Sequence, residues 1–176
     1  IVYYTDGRLD QAIHDLVLKR LRHTLNKIEF ILMRPPIGLP LGVLTMHKQI
    51  LQGLELSSVE AIFLCEHDVF YHPSHFDFTP PRMDTFFYNV NVWHVRWPDG
   101  YAVAWDGCQQ VSGLCASREL LLDYYRQRIA QIERDGFNRH YEPGLKQTVG
   151  SQKVENWQSA GPNLDIRHGH NLTASK

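Results

Sequence analysis

The sequence predicts an α/β domain: a Rossmann-like mixed sheet flanked by helices. Two observations predict it. Short apolar runs that suit strands buried on both faces alternate with helical periodicity in β-α-β-α-β order, the signature of parallel strands. Turn sequences and strand signals then follow one another in the second half, where the sheet becomes mixed. At 176 residues the chain fills one domain, with a Rossmann-like front half over 1–80 and a mixed-strand back half over 81–176.

Each element has its own reason. Ile1-Val2-Tyr3-Tyr4 is an apolar strand closed by the turn Thr5-Asp6-Gly7-Arg8. From Leu9 to Asn26, Leu9, Ile13, Leu16, Val17, Leu21 and Leu25 recur at three- and four-residue steps, one face of a helix. Ile28 to Met33 is a second strand, stopped by Pro35-Pro36. A helix over Leu44 to Leu56 turns Ile50, Leu51 and Leu54 inward. Ala61-Ile62-Phe63-Leu64-Cys65 is a third strand. Phe86 to Trp97 and Tyr101 to Trp105 read as strands around the turn Pro98-Asp99-Gly100. A helix from Ser117 to Asp135 buries Leu121, Leu122, Tyr125, Ile129 and Ile132 and ends at Gly136. Beyond Asn138 the chain reads as loop with one strand near Leu164–Ile166.

Composition narrows the function. Eighteen basic and nineteen acidic residues leave a net charge of -1, so no global positive field draws in nucleic acid, and stable nucleic-acid binding is not expected. No apolar run approaches the roughly 20 residues of a membrane span. Three cysteines without CxxC spacing read as free thiols in a reducing, cytoplasmic setting.

The chemistry concentrates at Glu66-His67-Asp68, just after the third strand. Ligands of open α/β sheets bind beyond the carboxyl ends of the strands. Two acids at i and i+2 there can hold a hard divalent cation, and the cation a diphosphate. Thr5-Asp6 leaves the first strand toward the same crevice. The last segment, Asp165-Ile166-Arg167-His168-Gly169-His170-Asn171, offers imidazoles and a guanidinium suited to a metal-bound diphosphate. Trp93, Trp97, Tyr101, Trp105 and Trp157 gather in the second half; flat rings stack on sugars, and two of the five are expected on substrate. His67, His72 and His75 near Asp68 and Asp77 have two readings: a hydrolase metal cluster, or a short capped helical turn carrying Phe76 and Phe78 inward.

Together, Val2-Tyr3-Tyr4-Thr5-Asp6, Ile62-Phe63-Leu64-Cys65-Glu66-His67-Asp68, the loop Gln110-Val111-Ser112-Gly113, Gly136-Phe137-Asn138-Arg139-His140-Tyr141-Glu142 and a C-terminal histidine resemble the GT-A fold glycosyltransferases, of the family 2 kind in near-minimal form. The resemblance spans most of the chain. Two positions depart from the family pattern: Glu66 opens the DxD motif, and Pro143 follows Glu142 where an Asp is usual.

The resemblance implies a metal-dependent, inverting transfer of a sugar from a nucleotide-diphosphate donor, a UDP-sugar first, to an acceptor hydroxyl. It implies Mn²⁺ or Mg²⁺ held by Asp68, with Glu66 on the metal through water or on the donor ribose, and with His168 or His170 as the tail ligand. Tyr4, Thr5, Asp6 and Arg8 would line the nucleotide pocket, and Lys48 would contact the diphosphate unless it is a solvated helix lysine. Gln110, Ser112, Gly113 and Trp93 would shape the donor and acceptor loop. Glu142 would be the base, or else a loop carboxylate paired with Arg139. Two other readings use the same residues: a metal-dependent phosphoesterase or pyrophosphatase, and a non-catalytic sugar- or nucleotide-binding module.

Overall fold

Alternation along the central strands divides the core into two layers. The computed structural model describes residues 1–25, 29–35, 38–97, 99–137 and 153–168. In chain order these form β1 (Val2–Tyr4), α1 (Gln11–Thr24), β2 (Ile31–Met33), α2 (Val43–Leu56), β3 (Ala61–Glu66), β4 (Val69–Phe70), β5 (Thr85–Asn89), β6 (Val92–Arg96), β7 (Ala102–Ala104), β8 (Leu114–Ser117), α3 (Arg118–Asp135), β9 (Lys153–Trp157) and β10 (Asn163–Arg167). Single 3-10 turns cover Pro73–Asp77 and Val111–Gly113.

Six strands make the main sheet in the order β2-β1-β3-β8-β5-β9, with β8 antiparallel to both neighbours. A smaller sheet runs β4-β10-β6-β7. In the main sheet Val2, Tyr4, Ile62, Leu64, Phe86 and Tyr88 meet Ile50 and Leu54 of α2 and Leu121 and Tyr125 of α3. The intervening Tyr3, Phe63 and Cys65 meet Val17 and Leu21 of α1 and Val69 and Tyr71. Each such large apolar side chain contributes about 1.5–3 kcal/mol on burial, so both faces hold the parallel strands in place.

The helices start and stop where the sequence supplies partners. The Asp10 carboxylate accepts from the Ala12 N–H at 2.9 Å at the start of α1. The Ser117 hydroxyl accepts from the Leu120 N–H at the start of α3, and Gly136, at φ 77°, ends that helix in a conformation side chains disfavour. A close approach explains Gly113: a Cβ there would lie 2.7 Å from the Asn89 carbonyl oxygen.

Two expectations change. The strand expected from Phe86 to Trp97 is two strands in two sheets. Asn89 breaks it, because its side-chain oxygen takes the Asn91 N–H at 3.0 Å and its amide donates to Ser159 Oγ at 2.7 Å, which turns the chain out of the main sheet. β9 lies in the stretch expected to be loop; it is a mostly exposed edge strand of polar composition. The histidines of the Pro73–Asp77 turn are structural. His72 caps it, and His75 is fully buried against Asn89 Nδ2 at 2.9 Å. Trp157 belongs to the core, stacked on Phe78 at 4.3 Å. Among the described residues no helix is long and apolar enough to cross a membrane.

His47 is fully buried between α2 and α3, beside the Tyr125 ring. Burial, reinforced by the Arg128 guanidinium and only partly offset by the Val43 carbonyl, pushes its imidazole down to about 4. A folded-state value below the unfolded one means that this contribution is complete above about pH 6.5 and is lost as pH falls toward 4. His47→Phe should therefore flatten the decline of unfolding free energy over that window by up to about 1.4 kcal/mol per pH unit, read by urea titration from pH 7 to 4; an unchanged slope would contradict the assignment. Gly113→Ala should cost about 1–3 kcal/mol by overpacking against Asn89, measured in the same titration at pH 7.

Candidate active site

Parallel registration sets the site. β1 and β3 pair with Tyr4 opposite Glu66, so Thr5-Asp6 and His67-Asp68 leave the sheet side by side at its carboxyl edge. The tail reaches them through the smaller sheet. β10 lies antiparallel to β4, and the Ile166 N–H donates to the Asp68 carbonyl at 2.8 Å. Two residues later, His168 Nε2 stands 3.4 Å from Asp68 Oδ2.

Three side chains converge there. One ligand atom each from His67, Asp68 and His168 lies within 4.8 Å of the other two. The rings of His67 and His168 are 6.2 Å apart between centroids. His67 Nε2 is buried, without a hydrogen-bond partner among the described residues, and lies 3.6 Å from Asp6 Oδ1. Two imidazoles and a carboxylate are a donor set for a first-row divalent ion, and they suit Mn²⁺ better than the harder Mg²⁺. The residues present fit such an ion.

More acids crowd the same edge. The Tyr4 hydroxyl donates to Glu66 Oε1 at 2.6 Å. Burial and then the neighbouring Asp68 push the Glu66 carboxyl well above its ordinary range. Asp165, also buried, is raised by the same two causes. It accepts from Gln110 Nε2 at 2.6 Å, with His94 Nε2 at 3.5 Å and Arg167 Nε at 3.6 Å. Burial and the Arg167 guanidinium push His94 down to about 4. At Asp6, burial acts upward, but the Arg8 backbone N–H and guanidinium outweigh it and hold the carboxyl below its usual value.

Placement of the expected site residues is uneven. Asp68 and His168 meet, with Tyr4, Thr5, Asp6, Arg8 and Glu66 around them. Glu66 turns to Tyr4 and lies outside the three-residue group. Gln110 reaches the site through Asp165. Ser112 and Gly113 are buried in the 3-10 turn, where they pack. Lys48 is not brought in: its Nζ pairs with Glu133 of α3 at 2.6 Å, because its position on α2 faces the neighbouring helix. Trp93 stands opposite Leu164, on the other face of the smaller sheet from Asp165 and His94. Glu142 and His170 lie outside the described residues. Asp165 is the addition. His67, expected beside Asp68 only in the hydrolase-cluster reading, joins Asp68 and His168, whereas His72 and His75 serve the Pro73–Asp77 turn.

The backbone as a whole is similar to a known one. It superposes on the crystal structure of a glycosyltransferase involved in the glycosylation of the major capsid of PBCV-1, with a TM-score of 0.56 at 9% identity, covering 93% of this chain and 91% of that one. The two chains share a fold. No family model and no curated protein matches the sequence, so the likeness is one of architecture.

His67→Ala and Asp68→Asn should each lower Mn²⁺ affinity roughly tenfold or more, whereas Lys48→Ala should leave it unchanged. Titration followed by the electron paramagnetic resonance signal of free Mn²⁺ checks both; equal affinity in all three variants would remove this group as a metal centre.

Proposed function

We propose that the protein is a divalent-metal-dependent glycosyltransferase that moves a sugar from a nucleoside-diphosphate donor, a UDP-sugar first, to an acceptor hydroxyl. The observation that supports this most is the meeting of His67, Asp68 and His168 at the carboxyl edge of β1 and β3, in a fold shared with a glycosyltransferase.

In this reading His67, Asp68 and His168 hold Mn²⁺, which when bound offsets the negative charge developing on the departing nucleoside diphosphate. The chain does the rest. Thr5, Asp6 and the paired Arg8 border the nucleotide end of the crevice. Glu66, held by Tyr4, presents a second carboxyl toward the donor. Arg167, beside Asp165, supplies a guanidinium suited to phosphate oxygens. Glu142 takes the proton from the acceptor hydroxyl on the opposite side of the sugar, and direct displacement inverts the anomeric centre. Such a base contributes about 10²–10⁴-fold to the rate.

Mn²⁺ together with UDP should raise the melting temperature, and EDTA should reverse the rise. A ligand at about one hundred times its Kd stabilises by about 2.7 kcal/mol, or about 5–10 °C for a domain of this size. A flat melting profile with UDP and GDP alike would refute the reading. Release of phosphate from an aryl phosphate without any sugar donor would replace it with phosphoester hydrolysis. Glu142→Gln should abolish transfer yet keep the Mn²⁺–UDP shift, as measured by donor turnover and melting side by side.

A further inference from the structure

Laterally paired residues of a sheet share a face. In the smaller sheet Val69 pairs with Asp165, Asp165 with His94, and His94 with Val103. One row therefore runs from the candidate site to the outer strand β7. Tyr101 and Trp105, two residues to either side of Val103, lie on the same face. Ring contacts agree: Trp105 stands 5.2 Å from the His94 ring, and the Arg96 guanidinium lies 5.3 Å over the Tyr101 ring. Exposure rises outward along the row. Asp165 is buried, whereas Trp105 is 52% and Tyr101 61% exposed. Trp93, 41% exposed, belongs to the opposite face of the same hairpin.

Exposed rings grouped beside a crevice mark a binding surface. Their charged neighbours on the hairpin are Arg96, bonded to Asp99, and Asp106. Positive charge is not in excess, which disfavours an anionic lipid surface. Flat rings beside carboxylates suit a polyhydroxylated ring, whose C–H face stacks while its hydroxyls donate to the acids.

We propose that the Tyr101–Trp105 face is the acceptor platform and that the acceptor is itself a saccharide, stacked on Trp105 and extending along the row past His94 toward Asp165. This rests on the transferase reading. β7 lies two strand spacings from β10, about 10 Å, so an acceptor longer than one ring reaches from platform to site.

The test uses the whole chain without nucleotide. Binding to a glycan array is followed by fluorescence titration of tetrasaccharides of glucose, galactose, mannose and N-acetylglucosamine, with sedimentation on phosphatidylcholine–phosphatidylglycerol vesicles in parallel. At least one saccharide should bind. Trp105→Ala and Tyr101→Ala should weaken it about tenfold each, Trp105→Phe should restore most of the loss, and Trp93→Ala should change nothing. The melting shift with Mn²⁺ and UDP should be the same in all variants. Absence of any saccharide binding, binding to vesicles alone, or equal weakening by Trp93→Ala would overturn the platform. Trp105-dependent saccharide binding in a protein whose melting never responds to Mn²⁺ and a nucleotide would instead leave a sugar-binding face and refute the transferase reading.

Discussion

The Ile166 amide donates to the Asp68 carbonyl, and through that bond the end of the chain is registered on the turn that follows β3. Residues 68 and 168 are far apart in sequence, and joining them closes a large loop at an entropic cost that the bond alone does not offset. The rest of β10 supplies the difference. It pairs with β4 on one side and over five positions with β6 on the other, while Ile166 itself is buried. A one-residue slip in this pairing would exchange Asp165 with a neighbour, send it to the other face and shift His168, which follows the strand, away from Asp68. The register is therefore a condition of the site and also of the small sheet's own packing.

The same closeness is electrostatically expensive. Asp6, Glu66, Asp68 and Asp165 gather where burial disfavours charge, and the guanidiniums of Arg8 and Arg167 answer only part of it. Hydrogen bonds answer another part: Tyr4 to Glu66, the Arg8 backbone to Asp6, Gln110 to Asp165. The raised carboxyls of Glu66 and Asp165 show that the compensation is incomplete. A domain held only for stability would fill such a place with apolar side chains. Retaining the acids instead places the cost at the strand ends, the position where open α/β sheets bind ligands.

Legibility in the sequence follows from how local each determinant is. The order of strands and helices in the first half could be read because β1 and β3 are apolar on both faces and α1 and α2 carry a clear periodicity. The turn at Asn89 could not, since it depends on Ser159, which arrives from 70 residues away. β9 hides for a similar reason: Lys153, Glu155 and Asn156 look like loop until β5 offers them a partner. In the site, Asp68 and a tail histidine were readable as types at plausible places. Lys48 had the right type but the wrong side of its helix. Asp165 sat in the segment already singled out, yet only the register with His94 and Val69 shows that it faces the same way as the crevice.

Dividing the chemistry between two sheets has a further consequence. The main sheet is clamped by helices on both faces, so the strand ends carrying Asp6, His67 and Asp68 inherit the rigidity of a packed core. The smaller sheet ends at β7, whose three residues are all exposed. Substitutions there meet few neighbours and act nearly independently of the core. A molecule arranged in this way can vary what lies on β6 and β7 while leaving the β1–β3 edge intact. Change on the outer hairpin is thereby separated from change at His67, Asp68 and His168, with the β10 strand as the element that must satisfy both.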